Sequence, residues 1–162
     1  MAKIVDRIFN TVLTANDSSA QEELGSFRFE DGKIYKYVYF ADAVTAAEGA
    51  PVLMDGTYNY KVTVDYSEAA GSADPALVVG VALTTNTPEY YGWIQIYGVA
   101  TVKVTDKVTA GDMLIHSGTD LFWGLGSAAS DAAVTEHMFG AIALANSGTD
   151  ADSTISAFIK CM

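Results

Sequence analysis

Leu77-Val78-Val79-Gly80-Val81-Ala82-Leu83 is an apolar run of strand length, and after the polar loop Thr85-Asn86-Thr87-Pro88-Glu89-Tyr90 comes Trp93-Ile94-Gln95-Ile96-Tyr97. Gly98 breaks this second run, which resumes as Thr101-Val102-Lys103-Val104. Aromatic and β-branched residues suit a pleated, half-buried surface. A glycine inside such a run marks a bulge or a close backbone approach. Strand, loop, strand, kink, strand is the seam of a small barrel or sandwich, and it sets the fold class as all-β. No catalytic motif sits on it.

Upstream, Tyr58-Asn59-Tyr60-Lys61-Val62-Thr63-Val64-Asp65-Tyr66 alternates. A strand is expected there with Tyr58, Tyr60, Val62, Val64 and Tyr66 inward and Asn59, Lys61, Thr63 and Asp65 outward. Phe27-Arg28-Phe29 and Lys33-Ile34-Tyr35-Lys36-Tyr37-Val38-Tyr39-Phe40 flank Asp31-Gly32, which reads as a hairpin. Alternation puts Ile34, Lys36, Val38 and Phe40 on one face and Tyr35, Tyr37 and Tyr39 on the other. The tyrosine stripe is either a protein contact surface, where Tyr is enriched, or the second layer of a sandwich. Between hairpin and strand, residues 41–50 are Ala-rich and read as a loop with at most one helical turn, leading into the short strand Pro51-Val52-Leu53-Met54.

Downstream the pattern returns. Val108-Thr109-Ala110-Gly111-Asp112-Met113-Leu114 rhymes with Ala47-Glu48-Gly49-Ala50-Pro51-Val52, and His137-Met138-Phe139-Gly140-Ala141-Ile142-Ala143-Leu144 echoes the central run, glycine against glycine. A polar loop and a strand over 154–161 follow. Two similar strand units in one barrel are expected, with Val62, Val64, Val79, Val81, Ile94, Ile96, Val102, Ile142 and Ile155 as core. Residues 67–75 and 127–135 read as small-residue links.

The N-terminus differs. Ile4, Val5, Ile8, Phe9, Val12 and Leu13 recur at helical spacing before the break Asn16-Asp17-Ser18-Ser19. This predicts residues 1–24 as a short amphipathic helix or an arm, and 25–162 as the β-domain. A short isolated helix is marginal in water, so the stripe needs a surface, either its own domain or a neighbouring subunit. On the second reading, removing residues 1–16 leaves the β-domain melting nearly where it did.

The chain has 162 residues, half of them hydrophobic, with twenty acidic residues against nine basic ones for a net charge of −11. No Lys or Arg occurs between Val62 and Val102 or between Val108 and Ile159. Phosphate binding needs clustered cations, so no nucleic-acid partner is expected. Apolar runs fall short of the ~20 residues a membrane helix needs, so no membrane partner is expected either. The chain opens on no signal-peptide pattern, and a single cysteine, Cys161, excludes an internal disulfide. No nucleophile elbow, zinc-protease helix or phosphate loop is present. His116, His137 and Asp112 match no metal-ligand spacing, and Asp150-Ala151-Asp152-Ser153 lacks the glycine and distal Glu of a calcium loop. No enzyme, cofactor or metal is expected. Trp93, Tyr97, Phe122 and Trp123 are candidates for sugar stacking or for core packing.

Taken in order, Gly32-Lys33-Ile34-Tyr35-Lys36-Tyr37-Val38, Ala47-Glu48-Gly49-Ala50-Pro51-Val52, Val79-Gly80-Val81-Ala82, Gly98-Val99-Ala100, Ala110-Gly111-Asp112 and Phe139-Gly140-Ala141-Ile142-Ala143 resemble the capsid decoration, or cement, proteins of tailed bacteriophages. The central piece is similar to the head decoration protein of phage lambda. The resemblance covers about residues 25–160. It implies a β-tulip-like domain, made in the host cytoplasm, that binds the outside of an assembled capsid in many copies or as a homo-oligomer such as a trimer. Its partner would be the major capsid protein. The contact residues expected are Ile4, Ile8, Phe9, Val12, Tyr35, Tyr37 and Tyr39. The alternatives are another virion part, a head-fibre base or tail component, and a carbohydrate-binding module using the aromatics around Trp93.

Overall fold

The computed structural model describes residues 9–41, 44–55, 60–65, 77–117, 122–125, 140–148 and 152–161. Among the described residues eleven strands form one continuous sheet system, and no helix occurs. The strands are β1 (Asn16–Asp17), β2 (Phe27–Glu30), β3 (Lys33–Phe40), β4 (Pro51–Met54), β5 (Lys61–Thr63) and β6 (Val78–Ala82). Then follow β7 (Tyr91–Val104), β8 (Met113–His116), β9 (Trp123–Leu125), β10 (Ala141–Ala143) and β11 (Ser153–Lys160).

β7 organises the fold. β3 lies antiparallel along its Tyr91–Tyr97 half, and β11 along its Tyr97–Val104 half. Gly98 stands where the two change over, at φ 97°, a conformation side chains rarely adopt, and a Cβ there would crowd Gly32 O at 3.2 Å and Lys33 Cα at 3.3 Å. The expected break is therefore a kink within one unbroken strand of 14 residues. Each half closes a ring. In the first, β3 pairs with β5, β5 with β4, β4 with β6, β6 with β7 and β7 with β3. In the second, β7 pairs with β9, β9 with β8, β8 with β10, β10 with β11 and β11 with β7. Closure pairs every strand of the two rings on both sides, while β1 and β2 lie outside them with one partner each, β7 and β3.

The two rings have the same topology, the parallel pair falling first in each (β3 with β5, β7 with β9). Their linking hydrogen bonds also correspond. Ala41 N donates to Val62 O as Thr105 N does to Trp123 O, and Gly49 N to Ala82 O as Gly111 N does to Ala143 O. Ala82 N donates to Ala50 O as Ala143 N does to Asp112 O. The chain is thus an internal repeat in which β7 is the last strand of one unit and the first of the next. These bonds set Gly80 against Ala141 and Ala82 against Ala143, so the glycine-to-glycine echo read from sequence is out by one residue.

Each ring encloses its own apolar cluster. Val38, Phe40, Val52, Val62, Ile94 and Ile96 fill the first, and Val102, Leu114, Trp123, Ile155, Ala157 and Ile159 the second. Seven of the nine expected core residues are buried; Val79 and Ile142 are half-exposed. Gly49 joins the units. Its carbonyl accepts from Lys103 N at 3.0 Å and Trp123 Nε1 at 3.2 Å, and its φ of 79° is one that side chains rarely adopt.

Two local expectations fail. Among the described residues of the strand expected over 58–66, Lys61–Thr63 form strand and Tyr60, Val64 and Asp65 do not. Tyr60 takes φ 63°, which breaks the alternation and leaves it 49% exposed instead of inward. Thr63, expected outward, is fully buried, with Oγ1 accepting from Asp65 N at 2.8 Å. Tyr58, Asn59 and Tyr66 lie outside the described residues, as do the links at 67–75 and 127–135. The helical reading of the N-terminus also fails where it can be followed, over Phe9 to Leu13. There the amides of Asn10 and Thr11 are held by Glu22 Oε1, at 2.6 and 3.0 Å, so a carboxylate takes donors that a helix would direct along its own axis.

Cys161 packs against both ring clusters and donates to Gly140 O at 3.3 Å. Burial pushes its thiol up from 9.0 to about 12, opposed by the Lys160 backbone. The folded value lies above the unfolded one, so the stability linked to it is intact below pH 9 and is lost as pH rises from 9 toward 12. The thiol of the folded chain is therefore expected to resist a disulfide reagent at pH 8 and to react only on unfolding. Fast labelling without denaturant would contradict this placement.

Candidate interaction surfaces

The outer face of the first ring carries the tyrosine stripe, but most of it is closed. Tyr35 and Tyr37 are buried and cluster with fully buried Trp93, beneath Phe9, Leu13 and Leu24. Phe9 meets Trp93 edge to face at 5.2 Å, and the Arg28 guanidinium lies 5.5 Å over the Phe9 ring. Trp93 Nε1 donates to Thr11 Oγ1 at 2.9 Å, and Gln21 N donates to Tyr37 Oη at 3.2 Å. Arg28 also donates to Thr11 O and pairs with Glu30. β1 completes the cover by pairing with Tyr91 and Gly92. The N-terminal segment, from Phe9 on, is a strap over its own domain.

The expected contact residues divide accordingly. Tyr35 and Tyr37 are interior, which corrects the reading of that stripe as a contact surface, because the strap desolvates both rings. That burial raises both phenol pKa values. Phe9 is packed under Arg28, Tyr39 is half-buried against Tyr91, and Val12 points out at 67% exposure. Ile4 and Ile8 lie outside the described residues. Trp93 and Trp123 are both fully buried. The carbohydrate-binding alternative therefore loses the tryptophans on which it depended.

An open surface appears instead on the second ring, where the sequence reading placed none. Val99 of β7 lies opposite Phe158 of β11, Phe158 opposite Ile142 of β10, and Ile142 opposite Met113 of β8. These four outward side chains form an apolar row across four adjacent strands. Val99 and Met113 are each 45% exposed, and Leu144 at the end of β10 is 48% exposed. Tyr97 extends the row, its ring 5.1 Å from that of Phe158. The other outward positions on β7 and β11 hold Thr101, Lys103, Thr154, Ser156 and Lys160, with no Asp or Glu. In a chain of net charge −11 this face is apolar and mildly basic. Its signal in the sequence is faint, since Val99, Ile142 and Phe158 belong to three separate runs and meet only through register.

Among the described residues no three His, Cys, Asp or Glu side chains come together as metal ligands, and no helix is long and apolar enough to cross a membrane. His116 is buried at the end of β8, and Asp112, in the turn before that strand, accepts from Thr109 N at 2.8 Å. His137 and Asp150 lie outside the described residues.

No protein-family model matches this chain, and no curated protein matches it. Among solved structures, the chain is similar to the head fiber gp8.5 N base in bacteriophage phi29, at 12% identity and a TM-score of 0.49. That likeness covers 78% of this chain and 95% of the phage structure.

Proposed function

We propose that this chain is a non-enzymatic structural part of a tailed-phage particle, bound to the outside of the capsid and bridging neighbouring coat subunits. The observation that supports this most is where the decoration-protein motifs fall. Gly32, Gly49, Gly98 and Gly111 all take positive φ, at the hairpin turn, the joint between rings, the kink of β7 and the turn into β8. The resemblance thus runs through the points that define the repeat. Two closed rings sharing a strand make a stiff body, which suits a clamp better than a moving catalyst. Binding to the assembled lattice and not to free subunits stabilises the lattice by mass action.

In this reading the coat subunit docks on the row Val99, Phe158, Ile142 and Met113, and the acidic remainder of the surface faces solvent. The head-fibre base reading uses the same body as a foot for a projection. Co-sedimentation with capsids lacking the chain tests the docking face. Saturable binding is expected for the intact chain, with at least a tenfold loss for Val99→Asp combined with Met113→Asp. Both positions are exposed, so the melting temperature should stay within a few degrees. Undiminished binding of the double variant would remove the row from the interface.

A further inference from the structure

The internal repeat gives the first ring a built-in comparison. Val62 of β5 and Trp123 of β9 are equivalent: Val62 lies opposite Met54 as Trp123 lies opposite His116, and their carbonyls accept the corresponding amides of Ala41 and Thr105. In the second ring the Trp123 indole packs against Gly140, where an added Cβ would come within 3.0 Å of the ring. Gly140 and Ala157 stand where the first ring has Val79 and Ile94. The first ring carries larger aliphatic groups at these places but no indole. The exchange of volume is incomplete, and a cavity of about 180 Å³ lies among Val38, Val62, Val79 and Ile94.

Its rim holds Lys36, Lys61 and Tyr60. Lys36 Nζ lies 4.9 Å from the Tyr60 ring centre and 5.9 Å from that of Phe27, and Lys61 Nζ lies 5.9 Å from the Tyr39 ring centre. Among the described residues neither ammonium meets a carboxylate, although the chain has twenty acidic residues. We propose that this cavity binds a small aromatic carboxylate, its ring in the space that an indole fills in the second unit and its acid group against the Lys36 ammonium; Lys61, which pairs with Tyr39, holds its ammonium over the outward Tyr39 ring. An apolar cavity of this kind offers an aromatic ring dispersion contacts that water does not match. The Lys36 ammonium, which meets no carboxylate among the described residues, selects an anion over its neutral isostere. Burial lowers the Lys36 pKa, and a bound carboxylate would oppose that desolvation. The site is independent of the capsid reading.

The test titrates the intact protein with indole-3-acetate and, separately, with neutral indole-3-acetamide, following the methyl resonances of Val38, Val62 and Val79. Saturable shifts are expected for the acid, with at least tenfold weaker binding of the amide. Lys36→Met should lower the affinity for the acid to that for the amide. Lys36→Arg, which keeps the charge, should retain the preference for the acid, and Lys61→Met, whose ammonium lies over the outward Tyr39 ring, should leave it unchanged. Val62→Phe, which fills the space, should abolish both. No methyl shifts at millimolar acid would overturn the proposal, as would equal binding of acid and amide by the intact protein or undiminished binding of the acid by Lys36→Met. Shifts produced only by a peptide ending in tryptophan, and not by the free acid, would likewise overturn it in favour of a protein partner.

Discussion

A chain lacking residues 1–16 is expected to melt roughly 10–20 °C below the intact protein. Truncation removes Phe9 and Leu13 from above Trp93, Tyr35 and Tyr37, deletes Thr11 as the acceptor for Trp93 Nε1, and removes half of β1. Two apolar side chains at roughly 1.5–3 kcal/mol each give a loss of about 3–6 kcal/mol. At this chain length each kcal/mol shifts the midpoint by roughly 2–4 °C. Scanning calorimetry of the truncated and intact chains is the check. An unchanged midpoint would show that the strap contributes nothing to its own domain, which is what an arm reserved for a neighbouring subunit requires. Thr11→Val is the finer probe: it leaves a buried indole N–H without its acceptor, at about 1–3 kcal/mol.

Trp123→Ala is expected to cost about 3–5 kcal/mol, among the largest effects of any single substitution in this chain. The indole is fully buried at the centre of the second ring, touches the Gly140 position, and ties the rings together through Gly49 O. The surrounding strands are closed into a ring and have little freedom to collapse into the void. Denaturant unfolding followed by circular dichroism should show the midpoint falling with the slope unchanged. A loss below about 1 kcal/mol would mean that the second ring does not close on this side chain.

Much of this architecture is legible in the sequence, because closed rings are built from short alternating runs with glycine at the turns. The hairpin at Asp31-Gly32, the strand opened by Pro51, the central run and the C-terminal strand all stand where the alternation put them. The repeat is visible as a rhyme of glycines, but its register is not. Gly80 and Gly140 are retained for different reasons, the first for the backbone of Gln95 and the second for the Trp123 ring. Their match in the sequence is therefore not a structural equivalence.

What was illegible follows from long-range contact. The amphipathic spacing of Phe9 and Leu13 is the same whether a helix or an irregular strap presents them. The choice is made by Glu22, Thr11 and Arg28, whose bonds no periodicity encodes. Tyr35 and Tyr37 alternate like a surface stripe because they line the outside of a ring, and only the strap makes that outside an interior. The open row on the second ring is hidden for the opposite reason. Its four residues come from four strands, and antiparallel register alone sets them side by side.

Electron cryomicroscopy of tailed-phage particles of the kind proposed to carry this chain, with an antibody to it as label, tests the proposed function most directly. The account predicts label over the whole shell exterior at the spacing of the coat lattice, and none on particles made without the chain. Label confined to the tail, or none on any particle, would contradict it.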